Sequence, residues 1–244
     1  MSFKVYIPTY KRAGKMLTHK VFPEAIIVCP ESQVDDYREY YPDMEFMPCP
    51  DSVEGNTARK RNWIKDNADT DYLIMVDDDI KCFYYADNRK QYELSGEHLR
   101  EVIENGFIMA EDLGTVLWGI NLQTDLKFYM EYSPFSLTSV VLGPFTGHIK
   151  RGNNLRYDER LPLKEDYDYS LQVLWKYRKL LRFNKYSYEA GHINNEDGGC
   201  VSIRTWEREL EQNILLQKKW GKKIVKFDME RSINPIVTAP LKGI

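Results

Sequence analysis

Short apolar runs alternate with stretches of helical spacing through the first third of the chain. Phe3 to Ile7, closed by Pro8, Ala25 to Cys29, and Glu45 to Met47 read as strands. Glu31 to Tyr40, with Ser32 near its cap, and Gly55 to Asn67, with Asn56 or Thr57 as its cap, read as helices between them. The clearest run is Tyr72 to Val76, which passes directly into Asp77, Asp78 and Asp79 before Ile80. It is apolar at every position, as in a strand covered on both faces. Strand, helix, strand, helix, strand predicts an α/β fold with a mixed, mainly parallel central sheet flanked by helices.

The pattern continues less regularly. Leu99 to Leu113 has helical spacing, and Thr115 to Ile120 and Ser139 to Leu142 read as strands around an aromatic, irregular stretch. Gly143 to His148 reads as a turn into another short strand. A helix starts in Leu163 to Leu171, and its early acids suit the positive end of the helix dipole. Leu181 to Phe183 and Tyr186 to Glu189 read as strands, Asn194 to Gly199 as a polar loop, and Trp206 to Trp220 as an amphipathic helix stopped by Gly221. Ile224 to Phe227 reads as a last strand, and the end after Ser232 as a loosely held tail. With neither repeats nor a low-complexity linker, residues 1–244 read as one domain with two halves, about 1–125 and about 126–244.

Composition narrows the class. With 43% hydrophobic and 29% charged residues the chain is globular rather than disordered. A net charge of −3 argues against a wholly basic nucleic-acid-coating protein but leaves room for a local basic face. Lys176, Arg178, Lys179 and Arg182, with Lys218, Lys219, Lys222 and Lys223, are candidates for one, though such runs also read as solvated helix faces. Cys29, Cys49, Cys82 and Cys200 lack zinc-finger spacing, and without a secretory leader they read as reduced thiols in a cytoplasm-like compartment. No apolar run approaches the roughly 20 residues that cross a bilayer, so no membrane association is expected.

Four separated features carry candidate chemistry. Asp77-Asp78-Asp79 stand at a strand's carboxyl end, where open α/β sheets place ligands. Three adjacent carboxylates repel one another without a cation, and hard oxygen ligands suit Mg²⁺ or Mn²⁺; the same run also reads as a solvated acidic turn. Pro8-Thr9-Tyr10-Lys11-Arg12 and the helix start at Arg59-Lys60-Arg61-Asn62 can neutralise a nucleoside diphosphate, or the latter can be an exposed basic face. Glu165-Asp166 and His192 complete the set.

These residues carry a resemblance. Ile7 to Arg12, Ala58 to Asn62, Asp77 to Asp79 and Lys164 to Asp166 resemble the motifs of GT-A glycosyltransferases, single-domain Rossmann-like enzymes that use nucleotide-diphospho-sugars. More narrowly, Gly191-His192 and Gly198 to Arg204 resemble the phage TET-associated glycosyltransferases, which modify hydroxymethylated pyrimidines in DNA and are related to the enzyme that makes base J. The resemblance implies that Asp79 and His192 hold Mn²⁺ or Mg²⁺. It implies that Pro8, Thr9, Tyr10, Arg12, Arg59, Asn62, Asp77 and Asp78 bind the donor, a UDP-sugar first among candidates. Asp166 is the implied general base if the enzyme inverts, and a positioning group if it retains. His148, Lys150, Arg151 and Glu165 fall on the implied acceptor side, with Tyr132 or Tyr167 offered for stacking. The implied acceptor is 5-hydroxymethylcytosine in phage DNA, or a sugar already on it, in the host cytoplasm. A small glycan or protein acceptor, or a sugar-nucleotide nucleotidyltransferase, are the competing readings; Ile7 to Gly14 has one glycine, against the glycine-rich loop of the last class. Donor sugar, acceptor and oligomeric state are not written in these motifs.

Overall fold

The computed structural model describes residues 2–122, 125–191 and 204–241. In chain order the strands and helices are β1 (Lys4–Pro8), β2 (Ile26–Val28), α1 (Val34–Tyr40), β3 (Glu45–Phe46), α2 (Thr57–Asn67), β4 (Tyr72–Val76), β5 (Ile80–Asp87), β6 (Lys90–Glu93), α3 (Gly96–Leu113), β7 (Leu117–Ile120), β8 (Phe135–Ser136), β9 (Phe145–Ile149), α4 (Glu165–Tyr177), β10 (Leu181–Phe183), β11 (Tyr186–Ala190), α5 (Trp206–Trp220), β12 (Val225–Asp228) and β13 (Ser232–Val237). The central sheet runs β3-β2-β1-β4-β9-β7-β10-β8. Its first four strands are parallel, β9 is antiparallel to both β4 and β7, β10 is parallel to β7, and β8 closes the edge antiparallel to β10. This is the mixed, mainly parallel α/β sheet expected.

The continuous apolar runs split by alternation between two covered faces. Val5, Ile7, Ile27, Ile74 and Val76 join one core with Val34 and Tyr37 of α1 and Leu99, Ile103 and Phe107 of α3. Tyr6, Ile26, Val28, Leu73 and Met75 point the other way, onto Ile64 of α2. A period of two with both faces buried leaves no polar alternation in the sequence. A smaller core joins Tyr167 and Leu171 of α4 to Leu216 of α5 and Val225 of β12. Helix ends follow local chemistry. Asn56 accepts from Arg59 N at α2, Ser95 caps α3, and Gly114 leaves α3 with φ +66°.

Two expectations need correction. Ser139 to Leu142 is not a strand; Ser170 Oγ accepts from Val141 N at 3.1 Å and donates to Val141 O at 2.7 Å, replacing a strand partner. The stretch after Ser232 is not a loose tail, because β13 pairs with β12 and Asn213 Nδ2 donates to Ile233 O. Gly143 to His148 leads, as expected, into a short strand, β9, which is central and held on both sides. Its Gly147 is required by packing: a Cβ there would lie 2.1 Å from Trp118 Nε1. Gly147→Ala is expected to cost about 2–3 kcal/mol by overpacking a buried aromatic, read as a lower unfolding free energy in urea; an unchanged midpoint would show that Trp118 can move.

Candidate active site

β4 delivers its three aspartates to the sheet's carboxyl edge, and each meets a different environment. Asp78 turns inward, 4% exposed. Its Oδ2 accepts from Thr9 Oγ1 at 2.7 Å, its Oδ1 pairs with Arg12, and its backbone carbonyl accepts from Leu17 N. Burial pushes its pKa up, opposed by Arg12 and Thr9. Asp78 thus anchors the loop after β1. Thr18 extends the stitching, donating to Asp77 O and accepting from Ile80 N. Lys60 closes the loop's other side through Thr9 O and Glu54.

Asp77 and Asp79 face outward. Asp77 touches Arg61 Nη2 at 3.4 Å and keeps 39% side-chain exposure. Desolvation pushes it up to about 6, opposed by Arg61 and reinforced by Asp79; its remaining exposure to solvent tempers that shift. The Asp79 carboxylate makes no hydrogen bond or salt bridge to a described residue, while its backbone carbonyl accepts from Gly191 N at 2.6 Å. Gly191 packs tightly, since a Cβ there would meet Leu17 at 2.2 Å. His192 lies outside the described residues.

Arg61, 2% exposed, is the hub between the two acidic motifs. Its Nη2 donates to Gly143 O at 3.0 Å, and its Nε lies 3.7 Å from Glu165 Oε1. Burial opposes its charge, but Tyr157, Glu165, Asp77 and Asp166 outweigh that and raise its pKa. Asp166, in the first turn of α4, accepts from Gly143 N at 2.9 Å and from Tyr167 N at 2.7 Å. The Pro144 carbonyl beside that glycine accepts from Asp77 N. Gly143 and Pro144 therefore link Asp77 to Asp166 through backbone, and Arg61 links them through charge. Burial pushes Glu165 up to about 8, with Asp166 adding to the shift and Arg61 opposing it. Tyr188 of β11 is raised first by burial and then by the field of Asp77, Asp79 and Asp166.

Of the quartet opening α2, Arg59 and Asn62 were expected to meet the donor, whereas it is Arg61 that reaches both acidic motifs. Arg59 forms an exposed ion pair with Glu159 and donates to Ser52 O, and Asn62 clamps both backbone groups of Tyr157. Helical phase, with Ala58, Arg61, Asn62 and Lys65 all buried, is the signal that picks Arg61. Pro8 and Thr9 sit at the β1 carboxyl end, and Tyr10 lies beneath Lys11. Asp168, a helix-start acid like its neighbours, accepts from Trp220 Nε1, Lys219 and Gln172, and docks α5.

Three acceptor-side expectations are corrected. His148 is fully buried in β9, with Nε2 between Thr146 and Tyr157, and burial holds its pKa well below the usual value. Lys150 and Arg151 follow Ile149, which pairs with Tyr72 at the amino end of β4. Five residues of strand put them about 15 Å from the aspartates, on the opposite edge of the sheet. There Lys150 binds Ala68 O and Arg151 binds Glu111.

Lys65 makes a separate prediction. It is 6% exposed and donates to Leu155 O and Tyr169 Oη. Burial, then Arg156, lowers it to about 7. Between about 7 and the unfolded value of 10.5 the unfolded chain binds the extra proton, so stability rises with pH there. The Tm of the wild type relative to Lys65→Met should therefore increase from pH 7 to 10; a difference independent of pH would show a charged Lys65.

Among the described residues no group of three His, Cys, Asp or Glu side chains could hold a metal. Asp77 and Asp79 nonetheless fit a hard divalent ion, being outward-facing oxygen donors, one of them without a hydrogen-bond or ion-pair partner among the described residues. Mg²⁺-type ions commonly take only one or two carboxylates, with substrate phosphates completing the shell. No helix among the described residues is long and apolar enough to cross a membrane.

The model of the TET-Associated Glycosyltransferase family matches residues 3–199, and the chain belongs to that family. No curated protein sequence matches it. Among solved structures it is similar to Staphylococcus aureus TarS 1–349, at 16% identity over 90% of this chain and 65% of that one, TM-score 0.49. It is also similar to the mannosyltransferase PcManGT from Pyrobaculum calidifontis in complex with GDP-Man and Mn²⁺, at 12% identity over 75% and 54%, TM-score 0.48. A third is glucosyl-3-phosphoglycerate synthase from Mycobacterium tuberculosis, at 8% identity over 78% and 71%, TM-score 0.49. The chain thus spans less than two thirds of the length of the TarS and PcManGT chains.

Proposed function

We propose that this chain is a metal-dependent glycosyltransferase. It moves a sugar from a nucleotide-diphospho-sugar, a UDP-sugar first among candidates, to the hydroxymethyl group of 5-hydroxymethylcytosine in phage DNA, or to a sugar already attached there. The observation that carries this is the meeting of Asp77 and Asp166 around Arg61 at the carboxyl edge of the sheet, with Asp79 two residues beyond Asp77, in a chain of this family. The first half, about 1–125, holds the donor, and the second, about 126–244, the acceptor.

In this reading Asp79, with Asp77 beside it and His192 as the family resemblance implies, holds Mn²⁺ or Mg²⁺. Such an ion, when bound, neutralises charge that grows on the departing diphosphate. Thr9 and Arg12 are committed to Asp78, so their part in donor binding is to shape the loop, with backbone and Tyr10 left to meet the nucleotide. The acceptor hydroxyl oxygen attacks the anomeric carbon as the carbon–phosphate oxygen bond breaks. The hydroxyl proton passes to Asp166, whose oxygens each hold one backbone N–H and keep a lone pair for it.

The test is incubation with Mn²⁺, a panel of nucleotide-sugars and DNA containing hydroxymethylcytosine, followed by digestion and mass measurement of the nucleosides. A hexose or pentose increment on the modified nucleoside is expected. No increment with any donor, alongside transfer to a glycan or peptide, would move the acceptor to another class.

A further inference from the structure

A cavity of about 230 Å³ lies between the β5–β6 turn and the segment after β7, lined by Arg89, Leu126, Tyr129, Met130, Glu131 and Tyr132. Its place follows from the sheet. Because β4 and β7 are each antiparallel to β9, they run parallel to one another. The chain leaving β7 therefore departs from the same edge as Asp77 to Asp79, two strand spacings or about 10 Å further along. The loop of Thr9 to Arg12 leaves from β1, on the other side of β4. The aspartates thus lie between the donor loop and the cavity segment. The β5–β6 hairpin starts immediately after Asp79 and carries Arg89 at its tip, about 25 Å of strand further on. Backbone bonds hold the wall: Asn121 N donates to Tyr186 O, and Asn184 N and Lys185 N donate to Pro134 O.

The lining has a consistent chemistry. Tyr132 is 87% exposed, and Tyr129 adds a second ring. Arg89 holds φ +59° in a two-residue turn with Asn88 at +48°. A turn of that kind favours Asn followed by Gly, so the arginine at the second position is held at a backbone cost, as strained residues at ligand sites often are. Glu131 supplies an acceptor between the two tyrosines in sequence. Aromatic faces take any base, a carboxylate accepts from an exocyclic amine such as that of cytosine, and an arginine fork meets phosphate. The volume is below the roughly 300 Å³ of the smallest drug-sized sites and suits a single ring system.

We propose that this cavity binds an unstacked nucleobase of the acceptor strand several nucleotides away from the one being modified, with Arg89 on the neighbouring phosphate. The inference rests on the acceptor being DNA. It assigns the cavity to strand positioning, separate from the transfer chemistry at Asp166.

The test uses the full chain and oligonucleotides carrying one hydroxymethylcytosine, with and without an abasic site at each position of the flanks on either side. In the wild type an abasic flank should raise the oligonucleotide KM about tenfold, leaving kcat and the donor KM unchanged. In Tyr132→Ala the intact oligonucleotide should already show that higher KM, and the abasic flank should add nothing. Arg89→Asn, a residue that accepts a left-handed backbone, should raise the KM and reduce its salt slope by about one phosphate contact. A wild-type enzyme that modifies DNA but ignores the flanking base, or a Tyr132→Ala KM equal to the wild type, overturns the cavity assignment alone. Transfer to a glycan or peptide with none to DNA overturns the acceptor reading and this inference with it.

Discussion

Asp166→Asn is expected to lower kcat by about 10²–10⁴-fold, the range of a lost general base, while donor-nucleotide affinity stays within about twofold. The separation follows from position. Asp166 sits across Arg61 from Asp77, on α4 rather than on the strand edge that bears the proposed ion, so its charge is not needed to hold the diphosphate. The amide keeps one oxygen to accept from Gly143 N or Tyr167 N, so the start of α4 should survive, and an unchanged Tm would confirm it. The residual rate should also lose its dependence on deprotonation of a carboxyl. A near-normal kcat would remove Asp166 from the chemistry. Direct displacement with Asp166 as base further requires that the product carry the opposite anomeric configuration to the donor.

The second large effect is on the fold and the site together. Arg61→Met should cost about 3–5 kcal/mol of unfolding free energy, because removing one partner of a buried ionic cluster leaves the others uncompensated. Asp77, Glu165 and Asp166 would face one another without the guanidinium, and Gly143 O would lose its donor. Arg61→Lys keeps a charge but not the planar fork that reaches Gly143 O and Asp77 at once, so an intermediate loss is expected. Adding Glu165→Gln to Arg61→Met should change little further, since the buried carboxyl already favours its protonated form. Urea melts at pH 7 read all four proteins. A loss below about 1 kcal/mol in Arg61→Met would show that the cluster is solvated rather than held by that one cation.

Much of this architecture was legible in the sequence because its signals were local. The apolar run Tyr72 to Val76 stopping at three aspartates located a buried strand and the sheet's carboxyl edge, and Trp206 to Trp220 matched α5 residue for residue. What was not legible depended on contacts distant in sequence. Nothing near Gly143 announces that β9 runs antiparallel between β4 and β7, yet that reversal moves Lys150 and Arg151 to the far edge and buries His148. The β5–β6 hairpin escaped notice because its residues alternate weakly and β6 is exposed along its length. The resemblance set Asp79 apart as the metal ligand and left Asp77 and Asp78 together on the donor; only the return of Thr9 and Arg12 onto Asp78 separates that anchor from the outward pair. Arg61 was hidden among three cations, of which it alone bridges the two acidic motifs.

The most direct measurement is a structure of the full chain with Mn²⁺, an unreactive UDP-sugar and an oligonucleotide bearing hydroxymethylcytosine. The account predicts the ion on the carboxylate of Asp79 with Asp77 alongside, Asp78 still bound to Thr9 and Arg12, and the Asp166 carboxylate within hydrogen-bond reach of the hydroxymethyl oxygen. An ion held elsewhere, or an acceptor hydroxyl approaching the anomeric carbon away from Asp166, would contradict it.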